Sequence, residues 1–143
     1  MWPQSEKVCV FSTMEGTLTF QGKPAVGAKV VREIEWYGNK EKPDTVVTDE
    51  AGRFAFPVMN RVLRRFSLRE FVAFQDIFVH YQGQKYEIWG MGKGEGSEYE
   101  EFGGKLVNFR CELTDEAIGV RMENGMLGAT SCVWDSIDKD YLK

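Results

Sequence analysis

Residues that most active sites depend on are scarce here. There is one histidine in 143 residues, His80. Any Ser/His/Asp or Cys/His arrangement would have to use it, yet it ends an apolar stretch where a structural role is the ordinary one. No G-x-S-x-G nucleophile signature is present. The three cysteines, Cys9, Cys111 and Cys132, are too widely spaced for a CxxC zinc or redox motif, and one histidine adds too few ligands for a structural zinc site. Asp44, Asp49 and Glu50 lack the alternating oxygen ligands and closing glutamate of a calcium loop. The glycine-rich run from Gly90 to Gly96 is neither a G-x-G-x-x-G nor a Walker sequence, and no helical pattern follows it. These absences predict a chain with no cofactor, no metal and no enzymatic activity.

Basic charge is not in excess. Eighteen Lys and Arg stand against 22 Asp and Glu, a formal net charge of -4. That balance disfavours nucleic acid, whose phosphates need a basic face, and suits a basic-surfaced protein partner. No run reaches the roughly 18 apolar residues of a membrane span, and the N-terminus lacks the cationic and apolar segments of a signal peptide. As it stands the chain reads as cytoplasmic, or as periplasmic if a signal has been removed. An odd cysteine count leaves at least one thiol unpaired. Three buried free thiols are one reading; a Cys111 to Cys132 bridge, tying the C-terminal tail to the last strand and implying an oxidising compartment, is the other.

What is abundant is strand chemistry: 43% hydrophobic and 13% aromatic residues, with turns at short intervals. From 28 to 37 the pattern alternates, Val30, Arg32, Ile34 and Trp36 sharing one face. Thr45 to Thr48 and Arg53 to Pro57 read as a hairpin around Gly52, and Val72 to Tyr81 with Lys85 to Trp89 as a second. A further strand is predicted over 105 to 113, with Val107, Phe109, Cys111 and Leu113 inward. Between 60 and 71, Val62, Leu63, Phe66 and Phe71 recur at near-helical spacing, which predicts a short helical insertion. The fold class is therefore mostly β, an antiparallel sandwich of about seven strands over residues 1 to 114 with one short helix, and residues 115 to 143 form a C-terminal extension packed on it.

The run Gly16, Gly22, Lys23, Pro24, Gly27, Ala28, Val30, followed by Thr48, Asp49, Gly52, Phe54 and Phe56, resembles the carboxypeptidase regulatory-like domains, which have a transthyretin-like sandwich. The resemblance covers under a third of the chain and implies the fold; it carries no catalytic residues across. The wider layout is similar to a small bacterial family of unknown function encoded near antibacterial toxins. That similarity implies an immunity-type inhibitor of a toxin, such as a type VI secretion effector.

The candidate contact set is Glu98, Tyr99, Glu100, Glu101 and Phe102, where carboxylates would steer a basic partner and aromatics would anchor it. Arg61, Arg64, Arg65 and Arg69 form a secondary set of opposite charge. Two other readings remain open. One is a structural or adaptor role in a secretion or surface assembly through a free strand edge; the other is small-molecule or carbohydrate binding by Trp36, Tyr37, Trp89 and Tyr99.

Overall fold

A computed structural model describes residues 5–64, 71–121 and 127–135. Fourteen strands follow one another along them: β1 Ser5–Phe11, β2 Met14–Phe20, β3 Lys23–Pro24, β4 Lys29–Trp36, β5 Asn39–Lys40, β6 Asp44–Val47, β7 Arg53–Phe56, β8 Met59–Arg64, β9 Ala73–Tyr81, β10 Gln84–Lys93, β11 Arg110–Glu112, β12 Ile118–Arg121, β13 Leu127–Thr130 and β14 Cys132–Val133. A single 3-10 turn, Glu100–Phe102, is the only helical element among the described residues.

The mostly-β expectation holds, and the strands build a sandwich. Its larger layer has the order β12-β13-β10-β9-β4-β5, with β6 also on β4; the smaller has β14-β11-β2-β3, with β7 also on β2. Pairing is antiparallel except for β11 beside β2, and β1 forms a separate two-stranded ribbon with β8. In β4 the alternation works as read: Val30, Arg32, Ile34 and Trp36 are buried. In β10 a register shift between Glu87 and Trp89 turns both Ile88 and Trp89 inward.

Arg32 is the unexpected member of the inward row. Its side chain is 3% exposed, pairs with Asp44 at 2.6 Å, and donates to the Pro57 carbonyl at 2.7 Å. Its guanidinium lies 4.7 and 4.8 Å from the Phe11 and Phe56 ring centres, so both its charge and its flat faces are matched.

Four expectations are corrected. The stretch 60 to 64 is strand, not helix, because β8 hydrogen-bonds along β1 from Met59 to Arg64; residues 65 to 70 lie outside the described residues. The strands either side of Gly52 do not pair as a hairpin. β6 joins β4 and β7 joins β2, so this turn carries the chain from one layer to the other. Gly52, at φ 77°, accepts the Leu18 N–H at its carbonyl oxygen, and an added Cβ would collide with the Leu18 carbonyl oxygen. Only Arg110–Glu112 of the 105 to 113 strand is paired; Phe109, Cys111 and Leu113 are buried, but Val107 is exposed. Finally, the segment after 115 does more than pack on the sandwich. β12 and β13 extend the larger layer, β14 pairs with β11, and Trp134 enters the core.

Of the two cysteine readings, the bridge is present. Cys111 and Cys132 are bonded directly across the β11–β14 pair, and Cys9 is free and buried.

Candidate functional site: an acidic sheet face and a buried charge cluster

The segment chosen from sequence as an exposed contact loop turns inward. Tyr99, at φ 70°, starts the 3-10 turn and donates its backbone N–H to Ser12 Oγ at 2.7 Å. Phe102 is fully buried, its ring 5.6 Å from Trp89 and 6.5 Å from Trp134, and Trp134 Nε1 donates to its carbonyl. Glu101 is 1% exposed. Neither residue can anchor a partner. Glu98 is exposed and accepts from the Thr13 hydroxyl at 3.4 Å, Tyr99 is half-buried, and burial raises the Glu100 carboxyl, with the nearby Lys93 charge opposing.

What Glu101 enters is a polar cluster inside the sandwich. Its carboxylate accepts from the Ser12 hydroxyl at 2.6 Å, the Ser12 backbone N–H at 3.0 Å and Gln75 Nε2 at 2.8 Å. Gln75 also donates to the Val10 carbonyl, and its own Oε1 accepts from Trp89 Nε1 at 3.0 Å. Lys93, with no side-chain exposure, brings its Nζ to 3.4 Å from Glu101 and 3.6 Å from Glu100, and donates to the Ser97 carbonyl. Cys9 Sγ lies 3.5 Å from Ser12 Oγ, and burial raises its thiol. Gln75 was findable in the sequence, since it shares the inward register of Ile77 and Val79. Its partner carboxylate was not, because Glu101 arrives from 26 residues away.

Of the secondary arginine set, only Arg61 has a described side chain. Arg61 is engaged with Glu41 through Nε at 2.9 Å and Nη2 at 2.7 Å, and Glu41 in turn accepts from Trp36 Nε1. Arg64 lies on β8, and Arg65 and Arg69 fall outside the described residues. Of the aromatic ligand set, Trp89 and Trp36 are buried. His80 is exposed and Cys9 buried, on opposite sides of the larger layer. Among the described residues no three His, Cys, Asp or Glu side chains converge as a metal cage, and no helix is long and apolar enough to cross a membrane.

An acidic and aromatic surface does exist, but on the outer face of the larger layer. The register sets Glu35 beside Phe74, Glu33 beside Asp76, and Val31 beside Phe78, with Glu87 on the other flank of Phe78. Phe74 is 57% exposed. Asp76 and Glu87 both lean over Gly90, whose missing side chain leaves them room: their oxygens lie 3.4 and 3.7 Å from where its Cβ would stand. Partial burial and then the Glu87 and Glu33 charges raise the Asp76 carboxyl. Carboxylates directly across strands destabilise a sheet, so this row costs the fold something. At the far end Lys29 and Lys85 flank His80, and the Lys85 ammonium sits 4.1 Å over the Phe78 ring.

The family model described as a domain of unknown function, DUF6795, matches residues 14–116. The chain belongs to this family. No curated protein and no solved structure matches it. The DUF6795 span runs from the start of β2 to just before β12. It contains the whole acidic face and the Gln75, Lys93 and Glu101 side chains, while Cys9 and Ser12 precede it.

Proposed function

We propose that this DUF6795 protein is a non-catalytic binding module whose outer sheet face takes a basic-surfaced protein. The observation that carries the reading is Phe74, a large aromatic more than half exposed on a central strand, with Glu35 directly across from it and Asp76, Glu33 and Glu87 further along the same face. Exposed aromatics on rigid elements bury much area at small entropic cost, and surrounding carboxylates raise the rate of encounter with a cationic surface. The similarity to a family encoded near antibacterial toxins supports the finer reading of an immunity-type inhibitor that covers a toxin's working surface. The Cys111–Cys132 bond supports placing it in an oxidising compartment such as the periplasm.

The test is capture of a stoichiometric partner by the tagged protein, repeated with Phe74→Ser and with Asp76→Lys. Both positions face outward, so the variants keep the fold. The expected result is a basic partner whose affinity falls at least about tenfold in each variant and weakens with salt. Capture unchanged by either substitution removes this face from the reading, and a retained protein whose binding ignores salt removes the charge argument.

A further inference from the structure

Lys93, Glu101 and Gln75 stand in an arrangement that an ordinary ion pair does not require. A buried ammonium is costly unless several good hydrogen bonds surround it. Lys93 has the Ser97 carbonyl, but its carboxylates stand at 3.4 and 3.6 Å, beyond the 2.7–2.9 Å of a charge-assisted bond. The nearer carboxylate, Glu101, is in turn bonded to the side-chain nitrogen of Gln75 at 2.8 Å, and the Gln75 carbonyl oxygen accepts from the Trp89 indole at 3.0 Å. Glu101 thus lies between an amine and an amide, and the amide oxygen faces a fixed N–H donor. The strands make the reach short. Lys93 pairs with Ala73, and Met91 pairs with Gln75, so the two inward side chains are diagonal neighbours on adjacent strands, a separation that long side chains span.

We infer that Lys93 and Gln75 join in an intramolecular amide cross-link, with Glu101 moving the proton between them. The Lys93 ammonium gives a proton to the Glu101 carboxylate, and the freed amine attacks Cδ of Gln75. The oxygen of the tetrahedral adduct gathers negative charge against the Trp89 N–H. Glu101 returns its proton to Nε2, the Cδ–Nε2 bond breaks as the oxygen re-forms the carbonyl, and the departing ammonia takes the proton shed by the attacking nitrogen and leaves as ammonium. One N–C bond forms and one breaks; Glu101 ends as the carboxylate it began as. No oxidant, metal or second substrate takes part, and the reaction occurs once per chain. The product removes the buried ammonium, leaves the Glu101 carboxylate held by the Ser12 N–H and hydroxyl, and ties β9 to β10 through a neutral amide.

High-resolution mass spectrometry of the reduced, denatured full chain tests this directly. The expected mass is that of the sequence less one ammonia. Trypsin cuts at Lys85, between the two residues, so the linked pair is recovered as one branched peptide uncut at Lys93. Lys93→Met and Glu101→Gln are each expected to carry the full mass of their own sequences. If either variant does not fold, the native chain decides alone. Full mass in the native chain overturns the inference, and so does loss of one water, which would make Glu101 the acyl group.

Discussion

Glu112 shows what a single side chain does at the rim of the smaller layer. It is bonded by the Thr19 hydroxyl, the Gln21 and Gly22 backbone N–H groups, and both the N–H and hydroxyl of Thr114. Burial alone would raise its pKa, but the donors from Thr114, Gly22 and Thr19 outweigh it and hold the carboxyl at about 2, against 4.5 ordinarily. Because the folded value is the lower one, its contribution is complete above 4.5 and is lost as pH falls through about 2. Glu112→Ala is expected to cost roughly 1.5–3 kcal/mol at neutral pH, the range for hydrogen bonds to a charged group. Urea midpoints measured across that window should show the gap between native and variant closing as acid is added; a constant gap would mean the carboxylate's charge is not what matters. Glu112 is legible as a strand residue and nothing more, because three of its five donors, from Thr19, Gln21 and Gly22, lie 90 or more residues earlier.

Among the elements, those that carry their own pattern were readable in advance. β4 alternates, and β9 and β10 meet at the Gln82-Gly83 turn, so both strands and their pairing follow from local sequence. β6 and β7 look equally adjacent, yet each pairs elsewhere, since a turn fixes where the chain bends but not which layer receives it. β8 was misread because Val62 and Leu63 fit either period, and only β1 selects the strand. The acidic face needed one further step: Glu33, Asp76 and Glu87 lie on three strands and become neighbours only through register. The disulfide acts at this scale as well. It closes a separation of 21 residues between β11 and β14, which in the chain-entropy account is worth about 3 kcal/mol. Unfolding with and without reductant should differ by about that amount, with the denaturant slope rising for the reduced chain as its unfolded state expands. Equal midpoints would show that β14 holds to β11 without the bond.

The whole molecule closes through its late-sequence residues. Trp134 lies 5.5 Å from Trp89 and 5.8 Å from Phe109, and its indole holds the Phe102 carbonyl at 2.9 Å. One side chain therefore joins β10, the 3-10 turn and the approach to β11. Trp134→Ala is expected to cost about 3–5 kcal/mol, as for other buried aromatic truncations. The check is a chemical denaturation curve; a loss below about 1 kcal/mol would mean that these contacts reform around the gap. Nothing in the sequence after 115 announces this, because short strands without a firm period give no hint that their partners lie far upstream.

That dependence has a consequence during synthesis. The ribosome makes this chain from its N-terminal end, and β10 and β11 wait with unpaired flanks until residues 127–135 have emerged. Through that interval the nascent domain presents open strand edges and an uncovered Trp89, the surfaces through which growing chains associate. Translation pauses placed before this segment would lengthen the exposure, and a chaperone that shields edges would be needed most until residue 135 has emerged.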